Sequence, residues 1–233
     1  AAADVVVLVM DAALGPTLQD KKIAGKIQEH RKGCIFVINK WDSALDQKMT
    51  TDKWVKYLLD TFSSMRHVPI AIITAKDGRN IRKLINLAQS VHKQATLRMS
   101  TARLNKAVRK AIERNPPPIR KNRRPKIYFA SQIAGSPPTI VLKCNDSSLL
   151  DESWKRFLLG FLRETTPFQE VPIRLVIRGR NESDPDLLGA DSPRVRMDDA
   201  DEVDDEVDDE PEIGQLSDEQ LAAHDDGEYN DDW

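Results

Sequence analysis

Two short polar motifs in this chain each follow an apolar run, and their residue types suit recognition of a nucleotide base. Asn39-Lys40-Trp41-Asp42 forms an N-K-x-D pattern after the run Cys34–Ile38, and Thr74-Ala75-Lys76 follows the run Val68–Ile73. Short apolar runs of this kind predict buried strands of a parallel sheet. Because open α/β sheets bind ligands at the carboxyl ends of their strands, we expect the two motifs to lie side by side.

The chemistry of guanine explains the carboxylate in the first motif. Guanine presents two adjacent donors, N1–H and the exocyclic amine, and the carboxylate of Asp42 can accept from both. Adenine lacks this donor pair and would leave the carboxylate unpaired, and sites built on such matching strongly reject the wrong analogue. The two motifs together predict the guanine-specificity half of a GTPase domain. The alternative is a polar turn that binds no ligand.

Resemblance to GTPases in general assigns roles to the other residues of this candidate site. It implies that the stem of Lys40 covers one face of the base and that Lys76 covers the other. It also implies that Asn39 ties the two loops together and that the Ala75 N–H reaches guanine O6. The residues expected to bind GTP or GDP are Asn39, Lys40, Asp42, Thr74, Ala75 and Lys76.

Motifs that would bind the phosphates and Mg²⁺ are missing from the 233 residues. There is no G-x-x-x-x-G-K-[ST] pattern, and no D-x-x-G follows a predicted strand. Phosphoryl transfer needs a glycine-rich loop, a lysine and a Mg²⁺ ligand. Since Ala1-Ala2-Ala3 leads directly into the apolar segment Asp4–Asp11, we expect a fragment that begins partway through a nucleotide domain. We expect no catalytic residue or metal ligand here, and no GTP hydrolysis by this fragment alone.

Residues 1–99 alternate predicted strands and helices, as a parallel sheet with flanking helices requires. The expected strands are Asp4–Asp11, a segment ending at Ile38, and Val68–Thr74, and the expected helices run to about His30, near Thr50–Ser64 and near Asn80–Arg98. Thr17-Leu18-Gln19-Asp20 resembles a capping box that opens the first helix. This α/β order predicts a partial P-loop GTPase sheet. A half sheet exposes a strand face and an edge, so we expect it to fold poorly alone.

Residues 100–180 predict a small α+β domain with the order α-β-β-α-β. The expected elements are a helix from Ser100 or Thr101 that Asn115-Pro116 ends, strands Lys126–Gln132 and Thr139–Cys144, a helix from about Leu149 to Glu164, and the strand Val171–Arg178. Its length of about 80 residues lies within the usual range for domains.

A more specific resemblance rests on motifs spread through both regions. They are Asn39-Lys40-Trp41-Asp42, Thr74-Ala75-Lys76, Thr101-Ala102-Arg103-Leu104-Asn105, Asn115-Pro116-Pro117-Pro118, Lys126-Ile127-Tyr128-Phe129-Ala130-Ser131-Gln132, Ser136-Pro137-Pro138-Thr139 and Pro172-Ile173-Arg174-Leu175. The chain resembles the C-terminal half of the EngA (Der) family of GTPases, from about Ala3 to Arg180. That resemblance implies two tandem GTPase domains, a KH-like domain, GTP or GDP with Mg²⁺ as cofactors, and a role in assembly of the large ribosomal subunit. It places the phosphate loop, the switch regions and the Mg²⁺ ligands upstream of this chain.

Contact with ribosomal RNA is expected from a basic stretch in the second region. Ordinary KH domains clamp RNA with a G-x-x-G loop, and none occurs in this sequence. Phosphate neutralisation by basic side chains is an alternative means of contact. The candidate residues are Arg120, Lys121, Arg123, Arg124 and Lys126. The competing interpretation is a solvated basic surface or a contact between domains.

Charge divides the chain sharply although the net charge is only −2. Residues 1–180 hold 33 Lys and Arg against 15 Asp and Glu, whereas residues 181–233 hold 2 against 22. The acidic segment 181–233 has few apolar residues and is predicted to be a disordered tail. The resemblance gives this tail no role.

Cys34 and Cys144 lack ligand spacing, which favours small buried side chains in a reducing compartment over a redox or metal site.

The sequence therefore supports two functions of different class. The favoured one is a ribosome-assembly GTPase, for which this chain supplies guanine recognition and the KH-like module. The alternative is a non-enzymatic RNA-binding or scaffold protein that keeps a vestigial half of a GTPase sheet. No apolar run is long enough to cross a bilayer, so we expect no membrane partner. We also expect no DNA partner. The expected location is a bacterial-type cytoplasm or an organelle of bacterial ancestry.

Overall fold

A computed structural model describes residues 3–45, 50–120, 122–133 and 135–180. The strands are β1 (Val5–Asp11), β2 (Gly33–Asn39), β3 (Ile70–Ile72), β4 (Ile127–Ile133), β5 (Thr139–Cys144) and β6 (Arg174–Arg178). The helices are α1 (Leu18–Glu29), α2 (Trp41–Leu45), α3 (Thr51–Thr61), α4 (Ile81–Thr96), α5 (Thr101–Arg114) and α6 (Glu152–Thr165). Single turns of 3₁₀ helix occur at Ser63–Met65 and Ser147–Leu149.

The first sheet is parallel, with the order β1-β2-β3, which confirms the predicted arrangement. Residues 33–38 of β2 are all buried, as expected for a central strand covered on both faces. The pairing aligns Asp11 with Asn39 and Ile38 with Ile72, so the strand ends that carry the polar motifs lie at one edge. The predicted capping box is also present, because the Thr17 hydroxyl accepts from the Asp20 N–H and the Asp20 carboxylate accepts from the Thr17 N–H.

Strand β1 presents apolar side chains to solvent. Val7 is 40% exposed and Val9 is 51% exposed, on a strand that pairs only with β2 among the described residues. An uncovered strand face of this kind is what a partial GTPase sheet was expected to show. Whether the region folds poorly when isolated stays a prediction.

The second sheet has the order β4-β5-β6, with β4 and β5 antiparallel and β5 and β6 parallel. Helices α5 and α6 complete the predicted α-β-β-α-β order. The α5 face with Leu104, Ala107, Val108 and Ala111 is buried, as its helical spacing indicates. The Ser100 hydroxyl caps α5 by accepting from the Arg103 N–H.

Several predicted element boundaries were wrong. The helix expected from Leu149 begins at Glu152, because the Asp151 carboxylate caps it by accepting from the Trp154 N–H at 2.8 Å. Strands β3 and β6 are shorter than expected. Val171 and Ile173, which were expected in β6, are buried in the core but precede the paired strand. The five-residue helix α2 was not predicted at all.

The two regions share one buried apolar cluster. It includes Val37 and Val91 from the first region and Val108 and Leu158 from the second. Polar contacts reinforce this packing, because the buried Gln132 side chain accepts from the Met99 N–H and donates to the Leu97 carbonyl, both at 2.8 Å. The chain between α4 and α5 is thus fixed by bonds from β4.

Both cysteines are buried, as predicted, and neither is part of a disulfide. Burial raises the pKa of the Cys34 thiol to about 12. None of the helices in the described part of the chain is both long and apolar enough to span a bilayer. The acidic segment 181–233 lies outside the described residues.

Candidate guanine-recognition site

The two polar motifs meet at the carboxyl edge of the first sheet. Asn39 is the last residue of β2, and its Oδ1 accepts a hydrogen bond from the Ala75 N–H at 3.0 Å. Main-chain bonds continue the pairing beyond β3, because Ile73 N–H donates to the Ile38 carbonyl and Trp41 N–H donates to the Ile73 carbonyl. The side chain of Asn39 therefore links the two loops directly.

The loop that contains Ala75 is closed by its own backbone. Thr74 and Arg79 exchange two main-chain hydrogen bonds of 3.2 and 3.1 Å, and Gly78 provides the left-handed conformation (φ +71) that the turn requires. Asn80 also has a positive φ, and its Nδ2 donates to the Ile72 carbonyl at 3.0 Å. Thr74 is only 3% exposed, so its side chain belongs to the support of the loop.

Lys40 adopts a left-handed backbone conformation (φ +60) between β2 and α2. Its Nζ forms an ion pair of 2.8 Å with Asp11 Oδ2, while Asp11 Oδ1 accepts from the Ala13 N–H. The hydrogen bond from Lys40 lowers the pKa of Asp11, and the same bond raises the pKa of Lys40. The ammonium is therefore held at the strand edge beside Asn39.

Asp11 is a residue of this edge that sequence reasoning missed. It ends β1 in register with Asn39, so it belongs to the same row of strand ends as the two motifs. The only available signal was a carboxylate directly after an apolar strand. That signal does not identify Lys40 as its partner, because the pairing depends on the register of β1 with β2.

The remaining predicted residues of the site are exposed. Asp42 lies in the first turn of α2, next to the buried Trp41. Lys76 is exposed one residue beyond Ala75. The Ala75 N–H, expected to reach guanine O6, donates to Asn39 Oδ1 in this structure. A carboxylate and two lysines therefore lie on segments that one side chain, Asn39, holds together. Their assignment to guanine stays a prediction.

The predicted RNA-contacting residues have different surroundings from one another. Arg120 forms an ion pair of 2.9 Å with Asp151, and Arg123 forms one of 3.1 Å with Asp146. These partners also cap helical turns, so the two arginines support local structure. Arg124 and Lys126 are exposed, and Lys121 lies outside the described residues.

No group of three or more His, Cys, Asp or Glu side chains suited to a metal ion occurs within the described residues.

Comparison with known proteins assigns each region to a family. Residues 1–94 match the model described as the elongation factor Tu GTP binding domain. Residues 98–178 match the model described as KH-domain-like of EngA bacterial GTPase enzymes, C-terminal. A GTP-binding domain followed by this KH-like domain defines the class of protein: a GTPase that carries a KH-like module.

Curated relatives identify the family. The chain is 43% identical to GTPase Der of Rhodopirellula baltica over 182 residues, which cover 78% of the chain and 40% of the relative. It is 38% identical to GTPase Der of Desulfitobacterium hafniense (strain DCB-2) over 179 residues, 77% of the chain and 41% of the relative. With GTPase Der of Protochlamydia amoebophila it shares 35% over 217 residues, 93% of the chain and 44% of the relative. The chain belongs to the EngA (Der) family of GTPases, and it spans about two fifths of the length of these relatives.

Proposed function

We propose that this chain supplies guanine recognition for a GTP-binding protein that acts in assembly of the large ribosomal subunit. The observation that carries this proposal is the hydrogen bond of 3.0 Å between Asn39 Oδ1 and the Ala75 N–H. This bond places the loop that contains Asp42 beside the loop that contains Lys76. A carboxylate that accepts from guanine and a second loop that covers the base are then available at one edge of the sheet.

Hydrolysis belongs to the family, and we propose that this chain does not perform it alone. The sequence contains no phosphate-loop pattern, so its motifs provide no cradle for the β- and γ-phosphates. Mg²⁺ would bind with those phosphates and neutralise their charge during transfer. In this division of roles, Asp42 and Lys76 determine which base is held, and the bond between Asn39 and Ala75 holds their segments together.

For the KH-like region we propose contact with ribosomal RNA through exposed basic residues. Arg124 and Lys126 are the two candidates whose side chains form no ion pair within the described structure. Arg120 and Arg123 contribute positive potential while they form ion pairs with Asp151 and Asp146.

We also propose that the change from one module to the other falls between residues 99 and 100, and that residues 181–233 form a separate acidic tail. The site of action would be a bacterial-type cytoplasm or an organelle of bacterial ancestry, where such ribosomes assemble.

The test exchanges the hydrogen-bonding pattern at Asp42. A carboxylate accepts two hydrogen bonds, whereas an amide accepts one and donates one. Asp42→Asn should therefore weaken binding of GMP and strengthen binding of XMP, because xanthine presents an N1–H donor beside a C2 carbonyl. Binding would be followed through the Ala75 amide resonance in the 233-residue chain, with AMP as the reference base.

Asp4→Asn, at an exposed position before β1, is the matched control and should leave base preference unchanged. GMP should bind the starting chain about tenfold or more better than AMP, since a mismatched base leaves the carboxylate unpaired. Equal binding of GMP and AMP, or a GMP preference retained in Asp42→Asn, would contradict the proposal. That outcome would favour the RNA-binding scaffold with a vestigial half sheet.

A further inference from the structure

A cavity of about 630 Å³ lies where the first region meets the KH-like region, away from the guanine loops. One wall comes from the segment after α3 and contains Ser64, Arg66 and His67. The other wall is the second half of α6, with Gly160, Arg163 and Glu164. The cavity is shallow and largely open to solvent.

Positive charge in this cavity is only partly compensated. The Arg163 Nε atom is buried and has no hydrogen-bond partner among the described residues. Arg66 reaches only Asp60, with 4.0 Å between Nη2 and Oδ1. Glu164, the carboxylate in the wall, is 3.5 Å from Arg114, so its charge is shared with a third arginine.

His67 lines the same cavity and adds an uncharged ring to it. Burial, and then the charge of Arg163, lower the pKa of His67 to about 4. The imidazole is therefore neutral near pH 7 and presents one N–H donor. A buried donor without a partner is costly, so the Arg163 Nε atom favours an anion that can accept from it, and His67 is a further possible donor in the same lining.

Gly160 is a second, independent feature of the same cavity. Glycine in the middle of a helix costs about 1 kcal/mol relative to alanine. Packing within the chain does not explain it, because a Cβ atom at this position would meet no heavy atom within 4 Å. A methyl group here would therefore stand in the open space of the cavity that Gly160 and Arg163 both line.

We propose that this cavity binds a phosphate group, which accepts hydrogen bonds from Arg163 and is approached by Arg66. Arginine suits this ligand because its planar fork donates two parallel hydrogen bonds to phosphate oxygens. The phosphate can come from free solution or from an RNA backbone that follows the groove between the two regions. In both cases the bound group would join α6 to the segment after α3 and hold the regions together.

The experiment titrates the full 233-residue chain with two probes at constant ionic strength: inorganic phosphate and a short oligouridylate. Neither probe contains guanine, so the result is independent of the guanine site. Only the part of the binding that Arg163→Met removes is assigned to this cavity, which separates it from the RNA contact proposed for Arg124 and Lys126. Binding would be measured by calorimetry and by the shift of the His67 imidazole resonances. Arg163→Met should weaken binding about tenfold or more, because one charge-assisted hydrogen bond is lost. Gly160→Ala should weaken binding by a similar factor, because its methyl group would occupy space that the ligand needs.

Two matched controls separate this site from general charge and helix effects. Arg82→Met removes an exposed arginine from α4, and Gly25→Ala changes a glycine of α1 that likewise has open space around it. Both should leave binding unchanged. Arg163-dependent binding of inorganic phosphate would support a free phosphate as ligand, and Arg163-dependent binding of oligouridylate alone would support an RNA backbone. The proposal is overturned if neither probe binds, or if the controls weaken binding as much as Arg163→Met and Gly160→Ala do.

Discussion

Replacing His67 with glutamine should make the stability of the protein less sensitive to acid. In the folded chain the pKa of His67 is lowered from 6.5 to about 4, first by burial and then by Arg163. The unfolded chain therefore binds the proton more readily than the folded chain between these two values. The neutral imidazole contributes stability above pH 6.5, and this contribution is lost as the pH falls towards 4.

The size of the effect follows from the two pKa values. Between pH 8 and pH 5, a shift from 6.5 to about 4 changes the free energy of unfolding by about 2 kcal/mol. Between pH 8 and pH 5 the free energy of unfolding should therefore fall further in the starting protein than in His67→Gln, by this amount. Arg66, Arg163 and Glu164 line the same cavity and remain in both proteins, so the difference isolates the imidazole.

Urea denaturation at pH 8 and pH 5 measures this difference directly. His92→Gln replaces an exposed histidine on α4 and is the matched control, which should behave as the starting protein does. An NMR titration of the His67 ring would give the pKa itself. If the starting protein and His67→Gln lose the same stability between the two pH values, burial of a neutral imidazole is not the cause of the acid sensitivity.

Two asparagines that bond to backbone give further predictions. Asn39→Ala should speed hydrogen exchange of the Ala75 amide, because that N–H donates to Asn39 Oδ1. Asn145→Ala, which removes a different bond to backbone, is the control and should leave this exchange unchanged. Unchanged exchange in Asn39→Ala would show that Asn39 does not link the two loops. Asn105 accepts from the Ala130 N–H at 2.8 Å and donates to its carbonyl at 2.9 Å. Asn105→Ala should therefore lower the free energy of unfolding by about 2 kcal/mol in urea, and a loss below measurement error would show that water replaces both bonds.

The sequence predicted those elements whose signals are local. The apolar run of β2, the capping box at Thr17 and the helical stripe of α5 each depend on residues within a few positions. The start of α6 was misplaced because Leu149 and Leu150 extend its apolar pattern backwards. The decisive feature was the Asp151 cap, which follows a separate 3₁₀ turn. The cap at Asp151 is a local signal, but the apolar pattern that Leu149 and Leu150 extend conceals it.

The candidate site was predicted in part for the same reason. Asn39 and Ala75 each follow an apolar run, and adjacent parallel strands bring their loops together. The ion pair between Lys40 and Asp11 also requires the register of β1, which no local pattern states. The cavity that contains His67 and Arg163 joins residues far apart in the chain. Only the packing of the two regions brings them together.

The packing also limits how a nucleotide signal can reach the KH-like region. Helix α4 begins at Ile81, shortly after the loop that contains Ala75. Its Gln94 exchanges hydrogen bonds with Glu170 of the second region, at 2.8 and 3.0 Å. Buried side chains on both sides of Met99 belong to one apolar cluster. Rotating one region against the other would expose that cluster, at about 25 cal/mol for each Å² of apolar surface. Nucleotide-dependent movement should therefore carry the half sheet and the KH-like region together as one body.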